Sequence, residues 1–155
     1  MNQNKQPCII VDIDGTIADC SHRRPYVTRE NKKKDFEKFH DPVLVKQDKL
    51  VEPIREIIFA LQSKYPIVWV SARPEALRST TEQWLKKHGL YLYPHKLMMR
   101  PDGDLTPDVD FKRRTLHHLR AQNYEPWLAL DDRDRVVEMW RSENITCLQV
   151  AEGKF

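Results

Sequence analysis

The sequence is short of cysteine and glycine and has no long hydrophobic run. Its three cysteines, Cys8, Cys20 and Cys147, are widely spaced and form no CxxC pair, which argues against a disulfide framework and against a zinc site. The apolar runs reach only strand length, and the N-terminal residues lack an apolar stretch of signal-peptide length. We therefore expect a cytoplasmic protein with no membrane partner. None of the four glycines lies in a G-x-x-x-x-G-K-[ST] pattern, so no P-loop for a nucleotide is expected.

Length and composition indicate one globular domain. The chain has 155 residues, of which 40% are hydrophobic and 32% charged, enough for one core and too few for two ordinary domains. The formal net charge of +3 is too small to identify a nucleic-acid partner.

Short β-branched runs alternate with longer stretches of helical period, which is typical of a parallel sheet covered by helices. The predicted strands are residues 8–11, 67–70, 96–99, 128–130 and 146–150. Four helices are predicted. The first begins at Pro53, with Ile54, Ile57, Ile58 and Leu61 facing inward, and the second runs from Pro74 to Gly89, with Leu77, Thr81, Trp84 and Leu85 on one side. The third covers about 108–122, and the fourth about 135–142, with Val136, Val137 and Trp140 facing inward. We predict an α/β, Rossmann-like fold with helices on both faces of the sheet.

Residues from about 17 to 47 break this alternation and are interpreted as a small insertion after the first strand. Between His22 and His40 it forms a basic strip, in which basic residues outnumber acidic ones and aromatic rings are interleaved. The bases are Arg23, Arg24, Arg29, Lys32, Lys33, Lys34 and Lys38; the acids are Glu30, Asp35 and Glu37; the rings are Tyr26, Phe36 and Phe39. Such a strip is usually a solvated face, but it also suits a phosphate backbone and an unpaired base.

Polar residues follow each predicted strand, where ligands bind to an open parallel sheet. They are Asp12, Asp14, Gly15 and Thr16 after the first strand, Ser71, Ala72 and Arg73 after the second, Arg100 after the third, and Asp131 and Asp132 after the fourth; Lys112 begins the next helix. Acids, hydroxyls and cations at one edge are the groups needed to hold a divalent metal and a phosphate.

The spacing of Asp12 and Asp14 places both carboxylates on one side of an extended chain, with about 6 to 7 Å between their stems. A phosphoryl group fits between them, so Asp12 is predicted to attack while Asp14 serves the leaving oxygen. Attack by a carboxylate on a phosphate needs Mg²⁺ and cations to offset the charge repulsion. Asp131 and Asp132 are candidate metal ligands. Lys112 and Arg73 are candidate cations, and Thr16 and Ser71 are candidate donors to phosphate oxygens.

The motifs "DIDGT", "SAR", a helix-borne lysine and "LALDDRDR" resemble, in order, the four motifs of haloacid-dehalogenase (HAD) type phosphohydrolases. The segments "HRRPY", "LMMRPDGD", "DFK" and "LALDDRDRVVEMWRSENITCLQVAEGKF" further resemble the phosphatase domain of bacteriophage polynucleotide kinase-phosphatase. The resemblance covers nearly the whole chain. It implies a HAD-type fold in which the insertion forms a cap over the site. Because the P-loop of the family's kinase domain is not found in this sequence, the resemblance supports the phosphatase half only, and no kinase domain is expected.

The resemblance also implies roles for individual residues. Asp12 would be the nucleophile that forms an aspartyl-phosphate, and Asp14 the general acid and then the base. Mg²⁺ would be held by Asp12, the Asp14 carbonyl and the Asp131/Asp132 pair. Ser71 and Lys112 would bind the phosphoryl group. Arg23 and Arg73 lie at positions where the family has functional arginines. Arg100 is a further substrate-binding candidate, and which of Asp131 and Asp132 touches the metal stays open.

Three functions remain at this point. The first is a polynucleotide 3'-phosphatase acting on DNA or RNA ends, beside a separate kinase or ligase in end repair. The second is a nucleotidase or a general phosphatase for small phosphate esters, which uses the same chemistry. The third is a non-enzymatic phosphoacceptor module. The D-x-D-G-T pattern follows the first strand, whereas receiver domains carry their acceptor after a middle strand, so the third is disfavoured.

Overall fold

The computed structural model describes residues 5–28, 33–92 and 94–153, and a five-stranded parallel sheet forms its centre. Its strands are β1 (Gln6–Val11), β4 (Ile67–Pro74), β5 (Lys96–Arg100), β6 (Tyr124–Asp131) and β7 (Thr146–Gln149), in the order β5-β4-β1-β6-β7. All five predicted strands are present. A separate antiparallel pair consists of β2 (Ala18–Asp19) and β3 (Lys49–Leu50).

Helices cover both faces of the sheet, as predicted. They are α1 (Phe36–Phe39), α2 (Pro42–Lys46), α3 (Glu52–Gln62), α4 (Arg78–Lys87), α5 (Asp108–Ala121) and α6 (Asp134–Ser142). Successive side chains of a strand point to opposite faces, and β1 divides accordingly. Ile9 and Val11 join the core beneath α3 and α4, whereas Cys8 and Ile10 join the core beneath α5 and α6. Because both faces of β1 are covered, its sequence is continuously apolar rather than alternating.

The second predicted helix begins later than its sequence indicates. Pro74 is the last residue of β4, and a 3₁₀ turn over Glu75–Leu77 separates it from α4. The predicted apolar side is nevertheless correct, because Leu77, Thr81, Trp84 and Leu85 are all buried. The helix ends before Gly89, whose φ of +72° is a conformation that favours glycine.

The prediction for α3 is wrong at one position. Ile54 and Ile58 are buried, but Ile57 is 38% exposed. In a helix of 3.6 residues per turn, positions 54 and 58 lie four apart on one side and meet the sheet, and position 57 falls at the border of that stripe.

The insertion after β1 extends to Leu50, three residues beyond its predicted limit, because β3 returns to pair with β2. Between them lie a 3₁₀ turn over Arg24–Tyr26 and the short helices α1 and α2. Arg29, Glu30 and Lys32 of the predicted basic strip lie outside the described residues.

No helix within residues 5–28, 33–92 and 94–153 is both long enough and apolar enough to cross a bilayer. The expected cytoplasmic location stays a prediction.

The contrast between Ile58 and Ile57 allows a paired test of the α3 interface. Ile58→Ala should lower the free energy of unfolding by about 2–5 kcal/mol, because it opens a cavity in a fully buried site. Ile57→Ala on the same helix should cost far less. Denaturant unfolding of both variants measures the difference, and equal losses would contradict the observed packing.

Candidate active site

The carboxyl end of β1 brings Asp12 into a buried ion cluster with Lys112 and Asp131. The Lys112 ammonium donates to Asp12 Oδ1 and to Asp131 Oδ2, each at 2.7 Å. Thr16 Oγ1 donates to the second Asp12 oxygen at 3.3 Å. Burial alone would lower the pKa of Lys112, but the two carboxylates more than offset this and raise it. Lys112 is therefore a permanent cation beside the predicted nucleophile, although 100 residues separate it from Asp12.

Asp131 is held by three donors from different elements. Besides Lys112, the indole N–H of Trp140 in α6 donates to Oδ2 at 3.1 Å, and the Arg133 backbone N–H donates to Oδ1 at 3.3 Å. Its oxygens are thus already engaged by the protein. Trp140 is a site residue that sequence reasoning assigned only to the core; no sequence signal distinguishes its N–H from that of any other buried tryptophan.

Asp132 differs from Asp131 because, among the described residues, neither of its buried carboxylate oxygens has a hydrogen-bond partner. Burial and the charge of Asp131 raise the pKa of Asp132 to about 6. The Arg24 guanidinium lies 3.7 Å from Oδ2, but its side chain is 30% exposed. Buried carboxylates without hydrogen-bond donors are costly unless they are paired or bind a metal, and Asp132 has only the Arg24 pair at 3.7 Å, so its oxygens can accept a further ligand.

The donor set fits a hard divalent cation. Asp12, Asp131 and Asp132 each offer an oxygen within 4.8 Å of the others. Burial and the neighbouring charges of Asp131 and Asp132 raise the pKa of Asp12 to about 8, against the lowering effect of Lys112, and a bound cation would reverse that shift. Oxygen-only ligands favour Mg²⁺ over zinc. The predicted contribution of the Asp14 carbonyl stays a prediction.

Two of the four glycines lie against Asp132. At Gly15, with φ of +87°, a Cβ would stand 2.1 Å from Asp132 Oδ2. At Gly153, a Cβ would stand 2.0 Å from the Asp132 carbonyl oxygen. The C-terminal segment is fixed there by the Gln149 side chain, which donates to the same carbonyl at 2.9 Å. Any larger residue at 15 or 153 would displace the loop that carries Asp132.

Asp14 lies between two arginines. Arg73 Nε and Nη2 donate to its carboxylate at distances from 2.6 to 3.2 Å, and Arg23 Nη2 donates to Oδ1. Burial would raise the pKa of Asp14, but the two guanidinium charges outweigh it and hold that pKa well below the usual range. Asp14 is therefore ionised in this structure.

Asp48 is a second residue of the site that sequence reasoning missed. Its buried carboxylate accepts from Arg23 Nε at 2.8 Å and Nη2 at 2.6 Å, and from Arg73 Nη2 at 2.8 Å. It thereby fixes both arginines that hold Asp14. Asp48 directly precedes β3, and an acid at the end of an irregular basic segment carries no local signal of burial.

Ser71 and Arg100 occupy different surroundings. Ser71 is buried in β4, and its hydroxyl accepts from the Arg73 N–H at 3.2 Å. Arg100 donates to the Ala72 carbonyl at 3.2 Å and to the Asp108 carboxylate. Its described contacts hold the β5–α5 loop against β4 and do not include Asp12 or Asp14. The substrate role predicted for Arg100 stays a prediction.

The family model for the polynucleotide kinase PNKP phosphatase domain matches residues 6–155. The chain belongs to this family. The match extends over β1, the insertion and every element that contributes to the site. A PNKP-type phosphatase domain is a phosphohydrolase of HAD type, so the predicted class of enzyme is confirmed.

Solved structures agree with this assignment to the PNKP phosphatase family. One similar chain belongs to "Structure of the Pnkp1/Rnl/Hen1 RNA repair complex", with 27% sequence identity and a TM-score of 0.82. Another belongs to "Structure of Pnkp1/Rnl/Hen1 complex", with 26% sequence identity and a TM-score of 0.80. All of this chain is covered, but only 45% and 48% of those chains, so it spans less than half of their length. The haloacid dehalogenase-like hydrolase SP0104 from Streptococcus pneumoniae shares the fold, at 14% identity and TM-score 0.63 over 95% of this chain and 85% of that one.

The role of Asp48 in this PNKP-type site can be tested by stability. Asp48→Ala should lower the free energy of unfolding by about 3–5 kcal/mol, because two buried guanidiniums lose a shared carboxylate. Glu37→Ala, an exposed acid of the same insertion, is the control and should stay within about 0.5 kcal/mol of wild type. Denaturant titration measures both, and a small loss at Asp48 would argue against its bridging role.

Proposed function

We propose that this domain is a Mg²⁺-dependent polynucleotide 3'-phosphatase that acts through an aspartyl-phosphate on Asp12. The observation that carries the chemistry is the placement of Lys112 at 2.7 Å from both Asp12 and Asp131, beside the Asp132 carboxylate, whose oxygens accept no hydrogen bond from the described residues. The substrate class rests on membership of the PNKP phosphatase family.

In the first step, an Asp12 oxygen attacks phosphorus, the bond between phosphorus and the 3'-oxygen breaks, and the leaving oxygen takes a proton from Asp14. Lys112 offsets the negative charge that develops on the phosphoryl oxygens. Asp14 begins ionised because Arg23 and Arg73 bind it. An anionic phosphate bound nearby raises the pKa of that carboxyl, which favours its protonation for this step.

In the second step, Asp14 takes a proton from water, the water oxygen attacks phosphorus, and inorganic phosphate leaves with regeneration of Asp12. The same residue thus serves as acid and then as base. Ser71 and Thr16 are the proposed donors to phosphoryl oxygens. Arg23 and Arg73 position Asp14 through the contacts described above.

The metal ligands in this proposal are Asp12 and Asp132, with the Asp14 carbonyl. The bound Mg²⁺ supplies positive charge that neutralises the phosphoryl group. In the proposal Asp131 acts mainly on Lys112, because its oxygens accept three hydrogen bonds, from Lys112, Trp140 and the Arg133 N–H, whereas those of Asp132 accept none from the described residues. The proposal thus assigns direct metal contact to Asp132 rather than to Asp131.

Removal of a 3'-phosphate leaves a 3'-hydroxyl, the group that ligation or extension of a nucleic-acid end requires. We therefore infer that a kinase or ligase activity acts on the same ends. Two similar structures are complexes named for Pnkp1, Rnl and Hen1. Lys33 and Lys34 of the insertion are exposed and are proposed to attract the phosphate backbone. A nucleotidase for 3'-mononucleotides is the second candidate, since its chemistry would be identical.

The substrate class is tested by comparing three phosphomonoesters with added Mg²⁺. A 3'-phosphorylated oligonucleotide should give the highest kcat/KM, above a 5'-phosphorylated oligonucleotide and a 3'-mononucleotide. Asp12→Asn should reduce turnover of each by several orders of magnitude, which excludes a contaminating phosphatase. Asp19→Asn, outside the cluster, is the matched control. Preference for the mononucleotide would overturn the polynucleotide proposal and favour the nucleotidase.

The division of labour between Asp131 and Asp132 is tested by metal binding. Asp132→Asn should weaken Mg²⁺ binding, measured by calorimetry without substrate, by at least about tenfold, because a ligand charge is lost. Asp131→Asn should affect metal binding less while still lowering kcat, since it releases Lys112. Chelation by EDTA should abolish wild-type turnover, and Mg²⁺ or Mn²⁺ should restore it. The reverse order of metal affinities would contradict the assignment.

A further inference from the structure

A cleft of about 750 Å³ lies between the insertion and the segment that follows β4. One wall consists of α1 and the residues after it, including Phe36 and His40; the other includes Pro74 and Ala76. The Phe36 side chain is 54% exposed in this cleft, and its ring stacks on His40 at a centroid distance of 6.3 Å and an interplanar angle of 26°.

Both walls of the cleft are tied to Asp14 by an arginine. On the insertion side, the Arg23 guanidinium lies 4.4 Å from the centroid of the Phe39 ring, donates to the Phe39 carbonyl at 3.0 Å and also contacts Asp14. On the other side, Pro74 directly follows Arg73, which binds the same carboxylate. The cleft therefore adjoins Asp14, beside which the leaving group of the proposed reaction would lie.

The chemistry of the cleft suits a flat uncharged group better than a phosphate. Asp35, Glu37 and Asp41 line it alongside Lys38, and Lys38 is paired with Asp41 at 2.9 Å. Burial and the neighbouring arginines lower the pKa of His40 to about 4, so the stacked pair is neutral at pH 7. An exposed aromatic ring on a neutral partner is the surface on which an unpaired base stacks, whereas the acidic rim disfavours a second phosphate.

We propose that this cleft binds the terminal nucleoside of the substrate, whose base stacks on Phe36. The proposal rests on the proposed function, because it takes the leaving group to be the 3'-oxygen of a nucleoside. It makes Phe36 a specificity-determining residue, distinct from the exposed lysines that attract the backbone. A small ester without a base would reach Asp12 but would not use the cleft.

The test compares two oligonucleotides that end in a 3'-phosphate, one with a normal terminal nucleotide and one with an abasic terminal sugar. Phe36→Ala should lower kcat/KM for the base-bearing end by roughly tenfold, mainly through KM. The loss for the abasic end should be several times smaller. Phe36→Trp keeps a stacking ring and should restore discrimination between the two ends. Thermal unfolding of each variant verifies that the insertion is intact.

Val43→Ala is the matched control, because Val43 is 63% exposed on the neighbouring helix α2 and does not belong to the lining of the cleft. Val43→Ala should leave the ratio of kcat/KM for the base-bearing end to kcat/KM for the abasic end unchanged. Equal losses for the two ends in Phe36→Ala would overturn the proposal, as would no loss for either. Failure of the proposed function is a separate result, since wild type would then not prefer the 3'-phosphorylated oligonucleotide at all.

Discussion

The architecture of the site depends on the burial of like charges at one edge of the sheet. Asp12, Asp14, Asp48, Asp131 and Asp132 share this edge with three buried cations, Lys112, Arg23 and Arg73. The acids at this edge outnumber its buried cations, and one further cation, Arg24, whose side chain is 30% exposed, lies 3.7 Å from Asp132 Oδ2. The excess is concentrated at Asp132, whose oxygens have no donor among the described residues. Such an arrangement costs stability without a ligand and favours a cation with oxygen ligands.

The insertion contributes more than a cover to this site. It delivers Arg23 and Asp48 from its two ends, and the β2–β3 pair brings those ends together. Arg23 and Arg73 both contact Asp14 and Asp48, so four charges from the insertion, β4 and the β1 turn form one network. Ion pairs of this kind are stable only when every member is satisfied. The position of Asp14, the proposed acid-base residue, therefore depends on the folding of the insertion.

The chain has four glycines, and two of them occupy positions where a side chain would collide with Asp132. Gly15 and Gly153 lie on either side of Asp132, one against its carboxylate and the other against its backbone. The C-terminal segment thus packs on the loop that carries the proposed metal ligand, and Gln149 adds a hydrogen bond to the same carbonyl. Asp131 accepts a hydrogen bond from the indole N–H of the buried Trp140. The two adjacent aspartates consequently have different surroundings and different proposed roles.

The sequence alone determined the layers of the fold and most of the site, because strand and helix periods are local properties and residues after parallel strands meet at one edge. Asp12, Asp131 and Asp132 can be grouped in this way from their positions along the chain, whereas the role of Lys112, which lies within α5, is suggested mainly by the family resemblance. Tertiary structure alone decided the burial of Asp48, the N–H of Trp140 on Asp131 and the position of Phe36 beside the cleft. Those features depend on how an irregular segment and distant helices pack together. The local sequence around an acidic residue, a tryptophan or a phenylalanine is the same whether its side chain contacts a functional group or solvent. The unequal surroundings of Asp131 and Asp132 follow from the same cause: the donors to Asp131 come from α5, α6 and the loop before α6, and only the folded chain brings them together.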